Sequence, residues 1–255
     1  MGLELLTSAH FFVLGALYLG TAALLHWVVF HSPLRARITS RAGIIGLDTT
    51  VAILFALLTG FLASDVGARN QQAARAVQTE ASELRNLHTL SVASLGDMKA
   101  IRAALRRYVE AATTLEWPAM ARQTSSAEAQ AAYDVLLHEV SDPAIARESG
   151  EAVHSALLQA TIRAGTARSE RIALAADRTN TLKWITVLIL GVMTQIAIGV
   201  MHLERPGAHI AALLIFSTAT VAALGLIALQ EQPFNGAFRV SPAPLQELLA
   251  LDAGG

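Results

Sequence analysis

Residues 43–64 read GIIGLDTTVAILFALLTGFLAS, and this stretch decides the fold. Its length suffices to cross the hydrocarbon core of a bilayer, which takes about 20 mostly apolar residues. It holds a single acid, Asp48. Three further stretches, residues 11–30, 184–201 and 210–229, contain no Asp, Glu, Lys or Arg. Because all four stretches are apolar on nearly every side, they favour lipid over a soluble helical core. We therefore predict four transmembrane helices.

The charged residues concentrate between the second and third of these stretches. The whole chain is 15% charged with a net charge of −1, yet residues 70–181 carry 12 of its 19 basic and 13 of its 20 acidic residues. A near-neutral net charge argues against a nucleic-acid partner, which requires a basic surface. The chain has no cysteine. This excludes a disulfide scaffold, a thiol nucleophile and a Cys-ligated metal site.

Apolar residues spaced three and four apart predict helices throughout the charged segment. Gly96-Asp97 predicts a helix break with a capping acid, and Pro118 is expected to end the second helix of the segment. Ser125-Ser126 is expected to begin the third. Asp142-Pro143 resembles an N-cap followed by a first-turn proline, and we expect it to open a long helix that buries Leu157.

The predicted fold class is therefore an all-α membrane protein. Four transmembrane helices carry a helical extramembrane bundle that is inserted between the second and third. In chain order we expect a first transmembrane pair over residues 1–66, the helical domain over 67–181, a second pair over 182–230 and a C-terminal tail over 231–255. The second span is expected to continue through Asp65 to Arg69 into the helical domain. The short apolar helix of the tail, Leu245–Leu251, is expected on the membrane surface or on a neighbouring subunit.

Arginines in the short connections predict the orientation. The connection between the first two spans holds Arg35, Arg37 and Arg41, and the connection between the last two holds Arg205. The terminal segments hold only Arg239. We therefore expect both short connections to be cytoplasmic and the helical domain to lie on the opposite side of the membrane.

Two polar residues inside the spans are candidates for a special role. Asp48 could be a pore-mouth or proton-relay group, or it could pair with Arg41 or Arg205 at the membrane interface. Gln195 lies in the middle of the third span, where amides commonly form hydrogen bonds between helices. Ser217, in the fourth span, is of the same kind.

Four histidines are expected near one membrane face: His26, His31, His202 and His209. Neutral imidazoles bind metals and haem, but no His-x-x-x-His pair is present, so we expect no metal and no cofactor. The chain also has no Gly-rich phosphate loop, no Gly-x-Ser-x-Gly and no close carboxylate pair. We therefore do not expect an enzyme.

Several segments carry a resemblance to a known family. They are the end of the second span, Ile53–Phe61; the charged run 74–87; Glu116-Trp-Pro-Ala-Met120; and the C-terminal Gln232-Pro-Phe-Asn-Gly236 with Arg239-Val-Ser-Pro242. Together they resemble the bacterial bestrophin-like membrane proteins known as DUF4239. The resemblance implies a multi-pass protein of a bacterial inner membrane, in which the side assigned to the helical domain by the arginines is the periplasm. This sequence departs from that family's pattern at Gln232, where a basic residue is common.

A remoter likeness connects the second span to the true bestrophins, which are pentameric anion channels. Their gate is a stripe of three apolar side chains on this helix. The Gly-Phe pair matches at Gly60-Phe61, and steps of four give Leu57 and Ile53 on the same helix face. The resemblance implies that five copies would form a hydrophobic gate that blocks ions by dewetting. The alternative is an ordinary packing face. The resemblance also implies a cytoplasmic helical domain, opposite to the arginine pattern.

Two functions remain open from the sequence. The first is an oligomeric ion channel or permeation pathway lined by the second helix, with the lipid bilayer, ions and further copies of the chain as partners. The copy number implied by the resemblance is five. The second is a non-conducting accessory or scaffold subunit of a larger membrane complex, which acts through its helical domain.

Overall fold

A computed structural model describes residues 9–32, 47–94, 96–177, 181–203 and 205–251, with the backbone alone for residues 47–49. All the regular elements in these ranges are helical. In chain order they are α1 (Ala9–His31), α2 (Leu47–Ala93), α3 (Lys99–Ala111), a π-helical turn (Ala112–Glu116), α4 (Trp117–Ala121), α5 (Ala127–Val140), α6 (Pro143–Ser149), α7 (Glu151–Ala176), α8 (Thr181–Met201), α9 (Pro206–Leu229) and α10 (Ala243–Leu251).

Four of these helices hold a stretch long and apolar enough to cross a bilayer: α1, the first part of α2, α8 and α9. The prediction of an all-α membrane protein with four transmembrane helices is confirmed. The second span does continue into the charged segment, because α2 is one helix of 47 residues. The sequence also predicts that the long helix runs unbroken into the third span. In the structure α7 ends at Ala176, and residues 178–180, which follow it, lie outside the described ranges.

Contacts divide the chain into two compact units. The first unit comprises residues 1–67 and 178–231, and the second comprises residues 68–177 and 232–255. The sequence analysis treats the C-terminal residues as a separate tail. In the structure the segment from Gln232 onward packs on the second unit. Its helix α10 buries Leu245 and Leu248 in the core of that unit. The apolar side chains of this helix thus pack within the chain itself, and its contact with the membrane surface or a neighbouring subunit stays a prediction.

The first unit packs around Tyr18 of α1. Leu62 of α2, Val187 of α8 and Leu224 of α9 share its core. The Tyr18 hydroxyl donates a hydrogen bond to the carbonyl of Leu188 at 3.3 Å. The ring fits there because Gly191 has no side chain: a Cβ built on Gly191 would lie 2.9 Å from Cε1 of Tyr18. Small residues that let helices approach closely are the usual basis of packing in membranes.

Capping interactions define the helices of the second unit. Ser126 accepts a hydrogen bond from the amide of Ala129 at the start of α5, and Asp142 accepts one from the amide of Ala144 at the start of α6. Both starts agree with the sequence. Asp142 does not open a long helix, however, because Gly150 interrupts it with φ of 90°. That conformation favours glycine, and α7 begins only after it.

Pro118 does not end the helix that precedes it, which corrects the expectation from the sequence. The chain stays helical from Lys99 to Ala121 by passing through the π-helical turn Ala112–Glu116. A proline inside an α-helix lacks its amide hydrogen bond, and its ring collides with the carbonyl four residues back. The π turn removes that conflict by a change of register, since the amide of Trp117 donates to the carbonyl of Ala112, five residues back.

The Tyr18–Gly191 contact predicts different effects for two glycine substitutions. Gly191→Ala forces the tyrosine ring to move and should lower stability by about 1–3 kcal/mol, the usual cost of overpacking. Gly15→Ala, also in a membrane helix, meets nothing within 4 Å and should keep or slightly raise stability, because alanine favours a helix more than glycine does. Thermal unfolding in detergent, followed by circular dichroism, compares the two. Equal melting temperatures for both variants would contradict the packing described here.

Candidate functional site

The apolar residues singled out on the second span lie on the exposed side of α2. Ile53, Leu57 and Phe61, which we call the α2 stripe, are exposed by 61%, 51% and 58%. Other residues of the same helix turn inward: Leu62 is buried in the core of the first unit, and Phe55 and Leu58 pack against that core. The membrane part of α2 therefore has a packed face and an unpacked apolar face.

A charged pair follows the α2 stripe on the next helical turn. Asp65, four residues beyond Phe61, forms an ion pair with Lys183 of α8. Both side chains are about half exposed. Asp48, the acid that the sequence singles out in this span, lies in the first turn of α2. Its side chain is outside the described part of the structure.

Gln195 is a polar junction of three membrane helices. Its Nε2 donates to the backbone carbonyl of Tyr18 on α1 and to Oγ of Ser217 on α9, both at 2.8 Å. Its Oε1 accepts a hydrogen bond from Oγ1 of Thr21 at 2.5 Å. Gln195 and Ser217 are fully buried. In lipid such side chains hold helices together, so this arrangement positions α1, α8 and α9 rather than a ligand.

Two of the four candidate histidines meet. The Nδ1 atoms of His26 and His209 are 3.2 Å apart, which requires one ring to donate and the other to accept. His202 instead uses Nδ1 toward the carbonyl of Ile198. Among the described residues, no group of three or more metal-binding side chains comes together. His26 and His209 thus form a contact between α1 and α9.

The second unit contains a buried ionic network that sequence reasoning missed. Arg171 of α7 is fully buried and lies between two carboxylates. It donates to Glu80 from Nε at 2.7 Å and from Nη2 at 3.0 Å, and its Nη2 also donates to Glu116 at 2.9 Å. Its Nη1 contacts Sδ of Met120 at 3.1 Å. Glu80 belongs to α2 and Glu116 to the π turn, so one guanidinium joins three elements.

A second arginine completes the charge balance. Arg168, one turn before Arg171, donates two hydrogen bonds to Glu116, from Nη2 at 2.5 Å and from Nε at 3.1 Å. Its Nη1 donates to Oε1 of Gln130 at 2.5 Å. Two carboxylates thus face two guanidinium groups, and the network is neutral overall. Buried charges are tolerated only when they are paired and hydrogen-bonded in this way.

Protonation within the network follows from its surroundings. Burial raises the pKa of the Tyr108 hydroxyl well above its usual range, and the charge of Glu80 adds to the rise. Tyr108 therefore stays protonated and donates a hydrogen bond to Glu80. Burial alone would lower the pKa of Arg171, but the Glu80 carboxylate outweighs it and the pKa is raised. The arginine accordingly remains charged.

Three of the segments that carry the family resemblance meet at this network: the charged run 74–87, the Glu-Trp-Pro segment and the C-terminal segment. The ring of Trp117 packs edge-on against Phe234 at 5.6 Å between centroids, and its Nε1 donates to the carbonyl of Val240 at 3.3 Å. The guanidinium of Arg171 lies 4.9 Å from the centre of the Trp117 ring. The Glu-Trp-Pro segment and the C-terminal Pro-Phe-Asn-Gly segment are therefore parts of one packed structure, with Glu80 from the charged run.

The spacing of buried residues on α7 could have predicted that two arginines of the network are buried. On α7 the buried positions Leu157, Thr161 and Ala164 are spaced four and three apart, and the same spacing continues to Arg168 and Arg171. Charged residues that fall on the buried face of an amphipathic helix are costly unless partners are present. The sequence could thus predict buried arginines, although not which acids pair with them.

A family model described as the Bestrophin-like domain matches residues 16–245. The chain belongs to the Bestrophin-like family. This confirms the bestrophin-like resemblance drawn from the sequence, and it covers both units of the structure. Together with four apolar helices, it identifies a multi-pass membrane protein.

Solved structures show the same fold. Two mutants of a bacterial Bestrophin homolog from Klebsiella pneumoniae superpose with TM-scores of 0.67 and 0.66, at 13% and 12% identity. The first match covers 94% of both chains, and the second covers 96% of this chain and 98% of the homolog. A structure described as a membrane protein gives a TM-score of 0.64 at 13% identity, over 95% of this chain and 97% of the other. A search of curated proteins found no match.

The ionic network predicts a strong effect for Arg171→Met. Removing the guanidinium leaves Glu80 and Glu116 short of a buried partner, and breaking a buried pair in this way costs about 3–5 kcal/mol. Arg163→Met is a matched control on the same helix, because Arg163 pairs with Glu83 while about half exposed. Such a surface pair contributes less than about 1 kcal/mol.

Thermal unfolding in detergent measures both variants. The Arg171→Met protein should melt far below the control, and the double variant Glu80→Gln with Arg171→Met should regain part of the loss because one unpaired acid is removed. If Arg171→Met melted at the same temperature as Arg163→Met, the network would not stabilise the second unit.

Proposed function

We propose that this Bestrophin-like protein assembles into a homo-oligomer that conducts ions along an axis lined by the α2 stripe. In this proposal Ile53, Leu57 and Phe61 of each copy converge on the axis and form a dry constriction. Five copies are the number that the resemblance to bestrophin channels implies. A ring of apolar side chains controls ion passage because water leaves a narrow apolar pore.

The observation that carries this proposal is the unpacked apolar face of α2. A membrane helix that contributes Phe55, Leu58 and Leu62 to its own unit leaves three large apolar side chains free on the other side. Exposure alone fits lipid as well, since Ile215 of α9 is 72% exposed. Family membership favours the pore for α2, because the stripe ends at the Gly60-Phe61 pair that resembles the bestrophin gate.

Reconstitution into liposomes tests the constriction. Phe61→Ala and Leu57→Ala widen an apolar ring and should raise ion flux by roughly tenfold, the change expected when a barrier falls by about 1.4 kcal/mol. Ile215→Ala is the matched control, because it also trims an exposed apolar side chain of a membrane helix. Its flux should equal that of the unchanged protein.

Two outcomes would contradict the proposal. Flux that is unchanged in both α2 variants would show that the stripe does not limit conduction. A complete absence of flux from all variants would favour the non-conducting scaffold subunit instead.

We also propose that the second unit is periplasmic, as the arginines of the short connections indicate. Since the chain has no cysteine, one introduced thiol reports its own location without background. Ser155→Cys places a thiol on the exposed surface of α7, and it should react with a membrane-impermeant maleimide in intact spheroplasts. Arg37→Cys, in the first short connection, should react only after lysis. The reverse pattern would place the second unit in the cytoplasm.

A further inference from the structure

The spacing of the α2 stripe continues to a charged residue. Ile53, Leu57 and Phe61 are four residues apart, and the next position in the series is Asp65. Residues spaced by four lie on one face of a helix, and twelve residues extend about 18 Å along it. Each step of four turns the helix by about 40°, so Asp65 lies next to Phe61 at the end of the stripe and is the first charged side chain beyond it.

Asp65 is accessible and is only partly neutralised. Its side chain is 46% exposed, and its partner Lys183 is 54% exposed. The carboxylate belongs to the helix that carries the stripe, whereas the lysine comes from α8. Exposed ion pairs are weak, so the pair leaves a local dipole whose negative end is on α2.

The next charged residue of α2 does not repeat this arrangement. Arg69, four residues beyond Asp65, has a side chain only 12% exposed and forms an ion pair with Asp177 at 3.5 Å. An open charge on this face is therefore found at Asp65 and not at Arg69. A ring of carboxylates at the end of an apolar constriction attracts cations and repels anions.

We propose that Asp65 selects the charge of the permeating ion, and that Lys183 sets how strongly it does so. The inferred substrate is a small monovalent cation such as K⁺. This inference rests on the proposed function, because Asp65 faces the ions only if the α2 stripe lines the axis. Lys183, on α8, pairs with the acid and in this proposal weakens its field without reversing it.

Reversal potentials in a planar bilayer under a tenfold KCl gradient test the assignment. The unchanged protein should favour K⁺ over Cl⁻. Asp65→Asn leaves Lys183 without its acid and should lower the permeability ratio by about threefold, the scale of an exposed charge interaction. Lys183→Met frees the carboxylate and should raise the ratio by a similar factor. Both changes should shrink at 1 M salt, where the screening length is only about 3 Å.

A second exposed acid–lysine pair supplies the controls. Asp97 and Lys99 are 3.4 Å apart with side chains 65% and 80% exposed. Asp97→Asn and Lys99→Met therefore make the same charge changes in the second unit, far along the chain from the α2 stripe. Neither should alter the reversal potential. If current persists while Asp65→Asn and Lys183→Met match these controls, the assignment of Asp65 is overturned and the conducting function stands. If no variant conducts, the proposed function itself fails.

Discussion

Arg171 is held between two buried carboxylates, and the second unit depends on this one arrangement. Taking charges out of water is costly, and the attraction between them repays the cost only when the geometry is good. Any shift of α2, the π turn or α7 would separate Arg171 from Glu80 or Glu116 and leave a buried charge without a partner. The network therefore fixes how these three elements pack, more strictly than the alanine-rich surfaces around it could.

In the first unit, uncharged contacts hold the membrane helices together. Lipid tails are as apolar as leucine, so the hydrophobic effect does little to bring membrane helices together. Close contacts such as Tyr18 on Gly191, and the hydrogen bonds of Gln195, take its place. These contacts involve α1, α8 and α9. Among the described residues, they leave one apolar face of α2 exposed.

The sequence predicted the parts of the fold that depend on long, regular patterns. Four long apolar stretches, three of them without any charge, predicted the spans, and local caps such as Ser126 and Asp142 predicted helix starts. Predictions of helix ends failed where a residue is compatible with two local structures. Pro118 can end a helix or sit beyond a π turn, and Gly150 divides a helix whose apolar spacing continues on both sides. The pairing of Arg171 with Glu80 and Glu116 was beyond sequence, because it joins residues far apart in the chain.

The sequence likewise predicted one part of the candidate site and not another. The spacing of Ile53, Leu57 and Phe61 placed them on one face, and the structure leaves that face exposed. What covers it in the assembled protein decides the function. A structure of the purified oligomer in lipid nanodiscs, determined by cryo-electron microscopy, is the most direct measurement. We expect the α2 stripes of all copies to surround the symmetry axis. Stripes that face lipid at the periphery, or a single copy without an axis, would contradict it.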